Sequence, residues 1–306
     1  MATNTVAPIP RLIYGTAWKK AQTAPLVVSA LSAGFRGLDT AASHHYYEEG
    51  VGAGLRTWLS QNPGLLPRSS LYIQTKFSPS PSHLPIPDQV HSSITSSFKH
   101  LSAPSSLFKD GPPAAESPKE PTASGQESDF YLDCVLLHAP YPAYEDTLLA
   151  WRALESYVPH RIRTIGISNV DLDELRALCD DAEVKPVVVQ NRLNPKEAYN
   201  TPVRVFCRER GINFQSFWTL TANPDLVKSD FVRKVAAAIG VSNEVALYSL
   251  VLGLRGVSVL DGTTNETRMK GDLDGVERVT AWATGEGSKL WQESLGQFKV
   301  ILGDTE

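Results

Sequence analysis

The sequence predicts an α/β protein that folds as a (β/α)8 barrel of the TIM type, a single domain over residues 1–306. Short apolar runs typical of buried strands alternate with segments of helical periodicity, and eight such strand–helix units follow one another along the 306 residues. Doubly wound sheets alternate in the same way, but the count of eight and the chain length favour the barrel. No GxGxxG motif follows any of these strands, which argues against a Rossmann dinucleotide domain.

The first part of the chain contains three of these units. Gly15 closes the first predicted strand, the second ends in Asp39 and the third ends in Lys76. Asp88 is expected to cap the helix that follows the third strand. The predicted strands are 11–18, 34–39 and 71–76, and the predicted helices are 24–33, 46–61 and 88–101.

Residues 102–128 differ in composition from the segments on either side. Pro, Gly and Ser make up 13 of these 27 residues, and no apolar periodicity runs through them. Such a segment cannot bury enough apolar surface to offset its conformational entropy. We therefore expect a mobile surface insertion within the barrel, which together with the loop after the third strand is expected to reshape the substrate mouth.

Five further units follow the insertion. The fourth strand ends in His138 and the fifth in Asn169, while a run of Val in 186–191 is typical of a parallel strand buried on both faces. Asp171 and Glu174 form a predicted capping box. The predicted strands are 132–138, 163–169, 186–191, 212–217 and 256–260, and the predicted helices are 146–157, 171–178, 203–210, 230–239, 243–254, 266–273 and 282–297.

The composition argues against several classes of function. Charged residues make up 20% of the chain and the net charge is -4, so the basic surface typical of nucleic-acid binding is absent. No apolar run approaches the roughly 20 residues of a membrane span, and no secretory signal is recognisable. Cys134, Cys179 and Cys207 lack metal-ligand spacing and are expected to be free thiols. We expect a cytoplasmic monomer or weak dimer without a metal, which binds neither nucleic acid nor membranes.

Polar side chains stand at the carboxyl ends of several predicted strands. Each alone has an ordinary structural explanation: an Asp after a strand caps a turn, a Lys is a solvated surface charge, and a His on an apolar strand is a hydrogen-bonded core residue. Because a barrel brings its strand ends to one rim, their joint placement predicts a shared site. The strand-end residues are Asp39, Lys76, His138, Ser168, Asn169, Gln190 and Phe217.

These residues, in this order, resemble the aldo-keto reductase superfamily over nearly the whole chain apart from 102–128. The resemblance is carried by the segments 34–41, 75–76, 136–138, 166–170 and 189–191, with Tyr46 and Glu48 following the first of them. The run QSFWTLTAN at 215–223 is similar to a branch best known from fungi.

The resemblance implies NAD(P)H-dependent reduction of an aldehyde or ketone to an alcohol, with Asp39, Tyr46, Lys76 and His138 as a catalytic tetrad. Tyr46 would donate the proton and His138 would orient the substrate oxygen. A free tyrosine has a pKa near 10, which places ionisation at neutral pH about 4 kcal/mol uphill. One cation about 4 Å away supplies about 4 kcal/mol at an effective dielectric of about 20. Lys76, kept charged by Asp39, is therefore expected to make Tyr46 a usable acid.

The same resemblance implies a site for NADPH. Ser168, Asn169 and Gln190 would bind the carboxamide of the nicotinamide, and Phe217 would stack on its ring. The implied cofactor-binding residues are Gly15, Thr16, Ala17, Ser168, Asn169, Gln190, Phe217, Trp218, Leu220, Arg268 and Asp272.

One departure from the family concerns the proton donor. The spacing from Asp39 is longer than the commonest family form, so a choice between Tyr46 and Tyr47 is needed. Tyr46 is favoured because it stands two residues before Glu48. The intervening histidines are expected to be solvated loop residues, either of which could face the substrate.

A second departure concerns the cofactor. Asp261 stands where the family has a basic residue that meets the 2′-phosphate of NADPH, and an anion there repels a phosphate. Arg268 remains in register to pair with that phosphate or to stack on adenine. NADPH is the expected cofactor, and NADH is the alternative.

Two other functions remain open at this point. The chain could be a nucleotide-binding regulatory subunit that keeps the reductase fold but turns over poorly, although an intact tetrad argues against this. Alternatively, Lys76 could act as the nucleophile of a Schiff-base aldolase, which would leave Tyr46 and the Ser168–Asn169 pair unexplained.

Overall fold

The barrel is closed by eight parallel strands in sequential order. A computed structural model describes residues 8–111 and 130–304 of the chain. The strands are β1 (Leu12–Gly15), β2 (Gly37–Asp39), β3 (Tyr72–Phe77), β4 (Leu132–Leu137), β5 (Ile162–Ser168), β6 (Val188–Arg192), β7 (Asn213–Phe217) and β8 (Val257–Asp261). The predicted fold class is therefore confirmed, and the carboxyl ends of the strands share one rim.

Closure is evident at β1, which pairs with strands on both sides. Tyr14 pairs with Leu38 of β2 on one side and with Asp261 of β8 on the other. An open doubly wound sheet would leave two edge strands paired on one side only. Strand order β1 to β8 with both ends joined excludes that alternative and brings all eight carboxyl ends to one face.

Helices surround the sheet and cover its outer face. They are α1 (Thr23–Ala33), α2 (Glu48–Gln61), α3 (Ile86–Leu101), α4 (Tyr144–Glu155), α5 (Leu172–Asp181), α6 (Thr201–Arg210), α7 (Pro224–Val227), α8 (Asp230–Ile239), α9 (Asn243–Leu252), α10 (Glu266–Thr284) and α11 (Ser288–Leu302). In the described part of the chain, no single helix is long and apolar enough to cross a membrane; only α8 and α9 taken together pass that test, and they are bent by 105°.

The barrel interior changes from apolar to polar along its axis. A small cluster of Ile13, Tyr72, Cys134, Leu136 and Val188 fills one layer. Alternate strand positions bring glutamines and a carboxylate into the neighbouring layers, where all are buried. The larger apolar cluster lies between the sheet and the helices, as expected for strands buried on both faces.

Two predicted helix boundaries are wrong for identifiable reasons. Helix α3 begins at Ile86, so Asp88 lies within its first turn and not at its N-cap. Helix α10 continues to Thr284, beyond the predicted end at 273: Gly275 does not end it but lies inside it, packed against α9, where a Cβ would lie 2.7 Å from Val245 Cγ1. The predicted capping box of Asp171 and Glu174 is confirmed.

The closing helix was predicted to begin at Trp282, but this residue belongs to α10. Helix α10 ends at a glycine cap, Gly285, and α11 begins at Ser288. The apolar spacing of Trp282 matches both helices, so periodicity could not separate them. The glycines between them were the signal that marks the break.

The predicted insertion at 102–128 begins too early. Ala103 and Phe108 are buried in the apolar core, and Asp110 Oδ1 accepts a hydrogen bond of 3.0 Å from the backbone N–H of Arg68. Residues 102–111 are therefore part of the packed structure. The rest of the predicted insertion, 112–128, lies outside the described residues.

Candidate active site

A cavity of about 860 Å³ opens at the carboxyl ends of the strands. It is long enough to reach from the end of β2 to the start of α10. Most of the predicted site residues line it: Gly15, Ala17, Asp39, Tyr46, His138, Ser168, Asn169, Gln190, Phe217, Trp218, Leu220, Arg268 and Asp272. Thr16 does not line it; its hydroxyl is buried and donates to the backbone oxygen of Asp39 at 2.8 Å.

Lys76 forms a buried ion pair with Asp39 beneath the cavity. Its ammonium lies 2.7 Å from both carboxylate oxygens and 2.9 Å from the backbone oxygen of Thr40. The side chains of the pair are 0% and 1% exposed. Burial alone would lower the pKa of Lys76, but the charges of Asp39 and Tyr46 and the hydrogen bonds to them raise it overall. Lys76 therefore stays charged and cannot serve as the nucleophile of a Schiff-base aldolase, which needs a neutral, accessible amine.

Tyr46 is the phenol beside this ion pair. The Lys76 ammonium lies 4.9 Å from the centre of its ring, and the His138 ring lies 6.0 Å away in an edge-on arrangement. Tyr47 is 43% exposed and leans over Gly50, on whose position a Cβ would lie 2.5 Å from Tyr47 Cδ1. The geometry therefore favours Tyr46 over Tyr47 as the phenol that Lys76 can influence.

The acidity of Tyr46 differs from the sequence-based expectation. Burial raises its pKa, the charge of Lys76 lowers it, the charge of Asp39 raises it, and hydrogen bonding to Lys76 lowers it, with a net rise. The sequence-based expectation counted only the effect of the Lys76 cation on the pKa of Tyr46. It left out the burial of Tyr46 and the charge of Asp39. Tyr46 is consequently fully protonated at neutral pH, and Lys76 acts by stabilising the phenolate once the proton has left.

Both backbone polar groups of His138 are hydrogen-bonded. Its N–H donates to the oxygen of Phe77 at 2.8 Å, and its oxygen accepts from Asn169 Nδ2 at 2.8 Å. Burial and then the charge of Lys76 lower its pKa to about 4. The ring is therefore neutral near pH 7 and carries a single N–H.

Asp39 is also held by a layer of buried amides, of which the sequence analysis named only Gln190, and that for another role. Gln74 Nε2 and Gln190 Nε2 donate to Asp39 Oδ1 at 2.6 and 3.0 Å. Gln215 exchanges two hydrogen bonds with Gln74, at 2.8 and 2.9 Å, and accepts a third from Gln190. A polar residue in an otherwise apolar strand, such as Gln74 two positions before Lys76, was the available signal.

The residues at the ends of β5 and β6 form a cradle suited to a carboxamide. Ser168 Oγ donates to the backbone oxygen of Gln190 at 2.6 Å. Asn169 adopts a left-handed backbone with φ of 54°, and its Nδ2 is bonded to His138 and Ser168. Its Oδ1 is buried and has no hydrogen-bond partner among the described residues, so an amide N–H of a ligand would satisfy it.

The end of β7 supplies aromatic surface to the cavity. The Arg192 guanidinium lies 5.5 Å from the centre of the Phe217 ring and 5.0 Å from that of Trp218. Trp218 is 52% exposed and has φ of 55°, a conformation that costs a bulky residue energy and often marks a functional site. Across the mouth, Trp18 stacks on His45 with ring centres 3.8 Å apart. The sequence analysis missed both residues: Trp18 ends the predicted strand 11–18 but was not counted among the polar strand-end residues, and Arg192 lies one position beyond the predicted strand 186–191.

The other end of the cavity carries two acidic side chains. Asp261 is buried and accepts a hydrogen bond of 2.9 Å from the N–H of Thr263. Burial and then the charge of Asp261 raise the pKa of Asp272 to about 7, and Arg268 opposes this shift. The nearby Lys19 ammonium donates to the backbone oxygen of Gly262 at 2.7 Å. An incoming anion therefore meets a partly protonated carboxyl pair beside an exposed arginine.

Comparison with known proteins agrees with this arrangement. Glycerol 2-dehydrogenase (NADP(+)) of Hypocrea jecorina is 28% identical over 286 residues, which is 89% of this chain and 85% of that protein. D/L-glyceraldehyde reductase of the same organism is 27% identical over 259 residues, 76% of this chain and 68% of that protein. Glyoxal reductase of Bacillus subtilis is 29% identical over 212 residues, 69% of this chain and 62% of that protein.

Solved structures share the fold. An aldo-keto reductase of Bombyx mori in complex with NADP has a TM-score of 0.67 at 23% identity, over 89% of this chain and 88% of that one. The family model described as the aldo/keto reductase family matches residues 11–229, a range that spans β1 to β7. The chain therefore belongs to the aldo/keto reductase family.

Proposed function

We propose that this member of the family, an NADP(H)-dependent oxidoreductase, reduces a small aldehyde or ketone with Tyr46 as the general acid. The observation that carries the proposal is the buried ammonium of Lys76, which contacts both carboxylate oxygens of Asp39 and lies 4.9 Å from the Tyr46 ring at the base of the cavity. A cation held there stabilises a phenolate but has no role in the packing of an apolar barrel.

The cofactor is proposed to lie along the cavity with its nicotinamide against β5, β6 and β7. The unpartnered Asn169 Oδ1 suits the carboxamide N–H, and Phe217 offers a ring face. Gln190 has committed its Nε2 to Asp39 and Gln215, which leaves its Oε1 as an acceptor. The remainder of a dinucleotide would follow the cavity towards Arg268 and Asp272, which line its other end. We propose the remaining predicted residues Gly15, Ala17, Trp218 and Leu220 as walls of that path.

The proposed mechanism uses four side chains. A cofactor bound by the residues named above would supply the hydride that the carbonyl carbon accepts. The Tyr46 hydroxyl and a ring N–H of His138 bind the carbonyl oxygen and polarise it. Tyr46 passes its proton to that oxygen, and the Lys76 ammonium stabilises the phenolate that remains. Asp39 keeps Lys76 in place, so the positive charge is present before the reaction begins.

The substrate class is proposed from the relatives and from the shape of the mouth. The matched proteins named for glyceraldehyde, glycerol and glyoxal act on short oxygen-rich compounds, and we propose that this chain also takes small aldehydes. Trp18 and His45, stacked at the mouth, would add affinity for a planar or aromatic carbonyl. Loss of NADPH absorbance with a panel of short and aromatic aldehydes tests this; no turnover of any member with wild-type protein would contradict it.

The regulatory-subunit alternative predicts a different result in the same assay. A binder that keeps the fold would quench its tryptophan fluorescence on adding NADPH but would leave the absorbance unchanged with every aldehyde. The complete set of Asp39, Tyr46, Lys76 and His138 supports turnover, because a binder has no use for a buried phenol–ammonium pair.

Three broader proposals accompany the enzymatic one. We propose that residues 1–306 form one domain, in which the predicted insertion begins only after residue 111. We propose a monomer or weak dimer located in the cytoplasm, with no nucleic acid or membrane as partner. The fungal-type branch suggested by 215–223 also stays a prediction. Light scattering of purified protein tests the oligomeric state, and a stable tetramer would contradict it.

A further inference from the structure

The ring of His138 has a side-chain partner that the reaction as proposed does not use. Ser78 Oγ lies 2.6 Å from His138 Nδ1. Ser78 directly follows Phe77, the last residue of β3, and is half-buried in the loop beside the cavity. It stands two residues after Lys76, so the same strand that delivers the ammonium also delivers this hydroxyl.

The hydrogen bond matters because a neutral imidazole has only one N–H. If that hydrogen is on Nε2, the ring offers a donor to the cavity; if it is on Nδ1, the ring offers a lone pair instead. A carbonyl oxygen can only accept, so the two forms differ completely in how they meet a substrate. The partner of Nδ1 therefore decides what Nε2 can do.

The surrounding contacts favour a hydroxyl that donates. Ser78 has no other side-chain hydrogen bond among residues 8–111 and 130–304, and within the same ranges Nε2 of His138 has none. A hydrogen on Nδ1 would leave the Ser78 hydroxyl hydrogen without a protein acceptor and would turn a lone pair towards Tyr46. With the hydrogen on Nε2, the Ser78 hydroxyl donates to the Nδ1 lone pair, and both of these groups are hydrogen-bonded.

The backbone around His138 leaves the ring little other freedom. Its N–H and its oxygen are both bonded, to Phe77 and to Asn169. The Tyr46 ring stands edge-on at 6.0 Å on one side. With the main chain fixed, the remaining variable is which ring nitrogen carries the hydrogen.

The geometry points to Ser78 as a positioning residue that donates its hydroxyl hydrogen to His138 Nδ1 and so holds the ring in the Nε2–H form. This inference rests on the proposed function only for its kinetic consequence. The tautomer itself is a property of the protein without substrate or cofactor, which allows the two ideas to fail separately.

The direct test is NMR of protein labelled with ¹³C and ¹⁵N in its histidine rings, in which the Cδ2 and ring-nitrogen shifts identify the tautomer. The His138 signal is assigned by its loss in His138→Gln. Wild type is expected in the Nε2–H form, and Ser78→Thr is expected to keep it. Ser78→Asp supplies only an acceptor and is expected to move the hydrogen to Nδ1, while Ser78→Ala is expected to give a mixture. A wild-type ring in the Nδ1–H form, or an unchanged ring in Ser78→Asp, overturns the inference.

Kinetics provide the second arm. Ser78→Ala is expected to lower kcat for aldehyde reduction about tenfold, the effect of losing about one hydrogen bond in the transition state. Ser78→Thr should restore the rate, and the Kd for NADPH should not change in either variant. A kcat of Ser78→Ala equal to wild type overturns the role. If wild type turns over no aldehyde, the proposed function fails while the NMR result stands. The melting temperature of each variant confirms that it is folded.

Discussion

The two ends of the cavity handle charge in opposite ways. At the β2–β4 end, Lys76 and Asp39 are fully buried and each charge meets several partners. At the α10 end, Asp261 and Asp272 are two carboxyls of the same sign, and the neighbouring Arg268 is exposed. One end is a completed ion pair, while the other is an unbalanced pair that changes its protonation near neutral pH.

The two ends of the cavity are therefore expected to differ in how well they tolerate substitution. Breaking a buried ion pair costs several kcal/mol, so the reaction end tolerates no change of residue. Two buried carboxyls that face each other can remain together because one of them gains a proton, so the far end can depart from the family pattern without unfolding the barrel. We therefore expect substitutions at the two ends to differ in size and in kind.

The largest expected effect is on the reaction rate at the Tyr46 end. Tyr46→Phe removes the proton donor and should lower kcat about 10³-fold, measured as NADPH oxidation with a reactive aldehyde. The Kd for NADPH, measured by quenching of tryptophan fluorescence, should stay near wild type. The matched control Tyr47→Phe should keep the wild-type rate. Loss of activity in Tyr47→Phe together with a normal rate in Tyr46→Phe would show that Tyr47 is the proton donor.

Lys76→Met should show that the same end depends on charge balance. It leaves the Asp39 carboxylate buried without its cation, so the free energy of unfolding should fall by about 3–5 kcal/mol and the rate should be lost. Denaturant unfolding measures the first effect. The double variant Lys76→Met with Asp39→Asn should recover part of the stability but none of the activity. Equal stability of the single and double variants would count against the ion pair as the cause.

The affinity for NADPH should depend on pH because of the carboxyl pair at the α10 end. Since the pKa of Asp272 is raised to about 7, this carboxyl is protonated below that pH and its repulsion of a 2′-phosphate is removed. The Kd for NADPH should therefore decrease as the pH falls through about 7, before the phosphate itself begins to gain a proton near pH 6. The Kd for NADH should not follow the same trend.

Asp272→Asn is the matched variant for that comparison. It should tighten NADPH about fivefold at pH 8, because removing one partly screened like charge is worth about 1 kcal/mol, and it should flatten the pH dependence. The kcat at saturating NADPH should be nearly unchanged. If Asp272→Asn binds NADPH no better than wild type, the carboxyl pair does not face the phosphate.

The smallest effect on stability is expected from the insertion. Replacing 112–128 by a short Gly/Ser linker should leave the melting temperature unchanged. Phe108→Ala, just before that segment, removes a buried ring and should cost about 3 kcal/mol. A large loss of stability in the linker variant would show that 112–128 belongs to the packed structure.

The barrel could be predicted from the sequence because each strand and helix is marked within a short segment of the chain. Most strands contain a short apolar run, and Asp39, Lys76 and His138 stood out as polar residues at or next to strand ends. The boundary between α10 and α11 was wrong because apolar spacing is the same on both sides of the Gly285 break. Periodicity reports which face is buried but not where one helix stops and the next begins.

The contacts that tune the site could not be predicted in the same way. Ser78 and His138 are 60 positions apart, and Gln74 and Gln215 are 141 apart. Their meeting depends on strand register and side-chain rotamer, neither of which has a local signature. The net pKa of Tyr46 was missed for a related reason, because burial depends on the whole packed surroundings.

The glutamines beneath Asp39 couple three strands of the barrel. Through Gln74, Gln190 and Gln215, the carboxylate is fastened to strands β3, β6 and β7 at once. A laboratory that remodels this enzyme for a new aldehyde can vary mouth residues such as Trp18 and His45, which the proposed mechanism does not use. Apolar replacements in the inner layer of glutamines would loosen the anchor on which Lys76 depends.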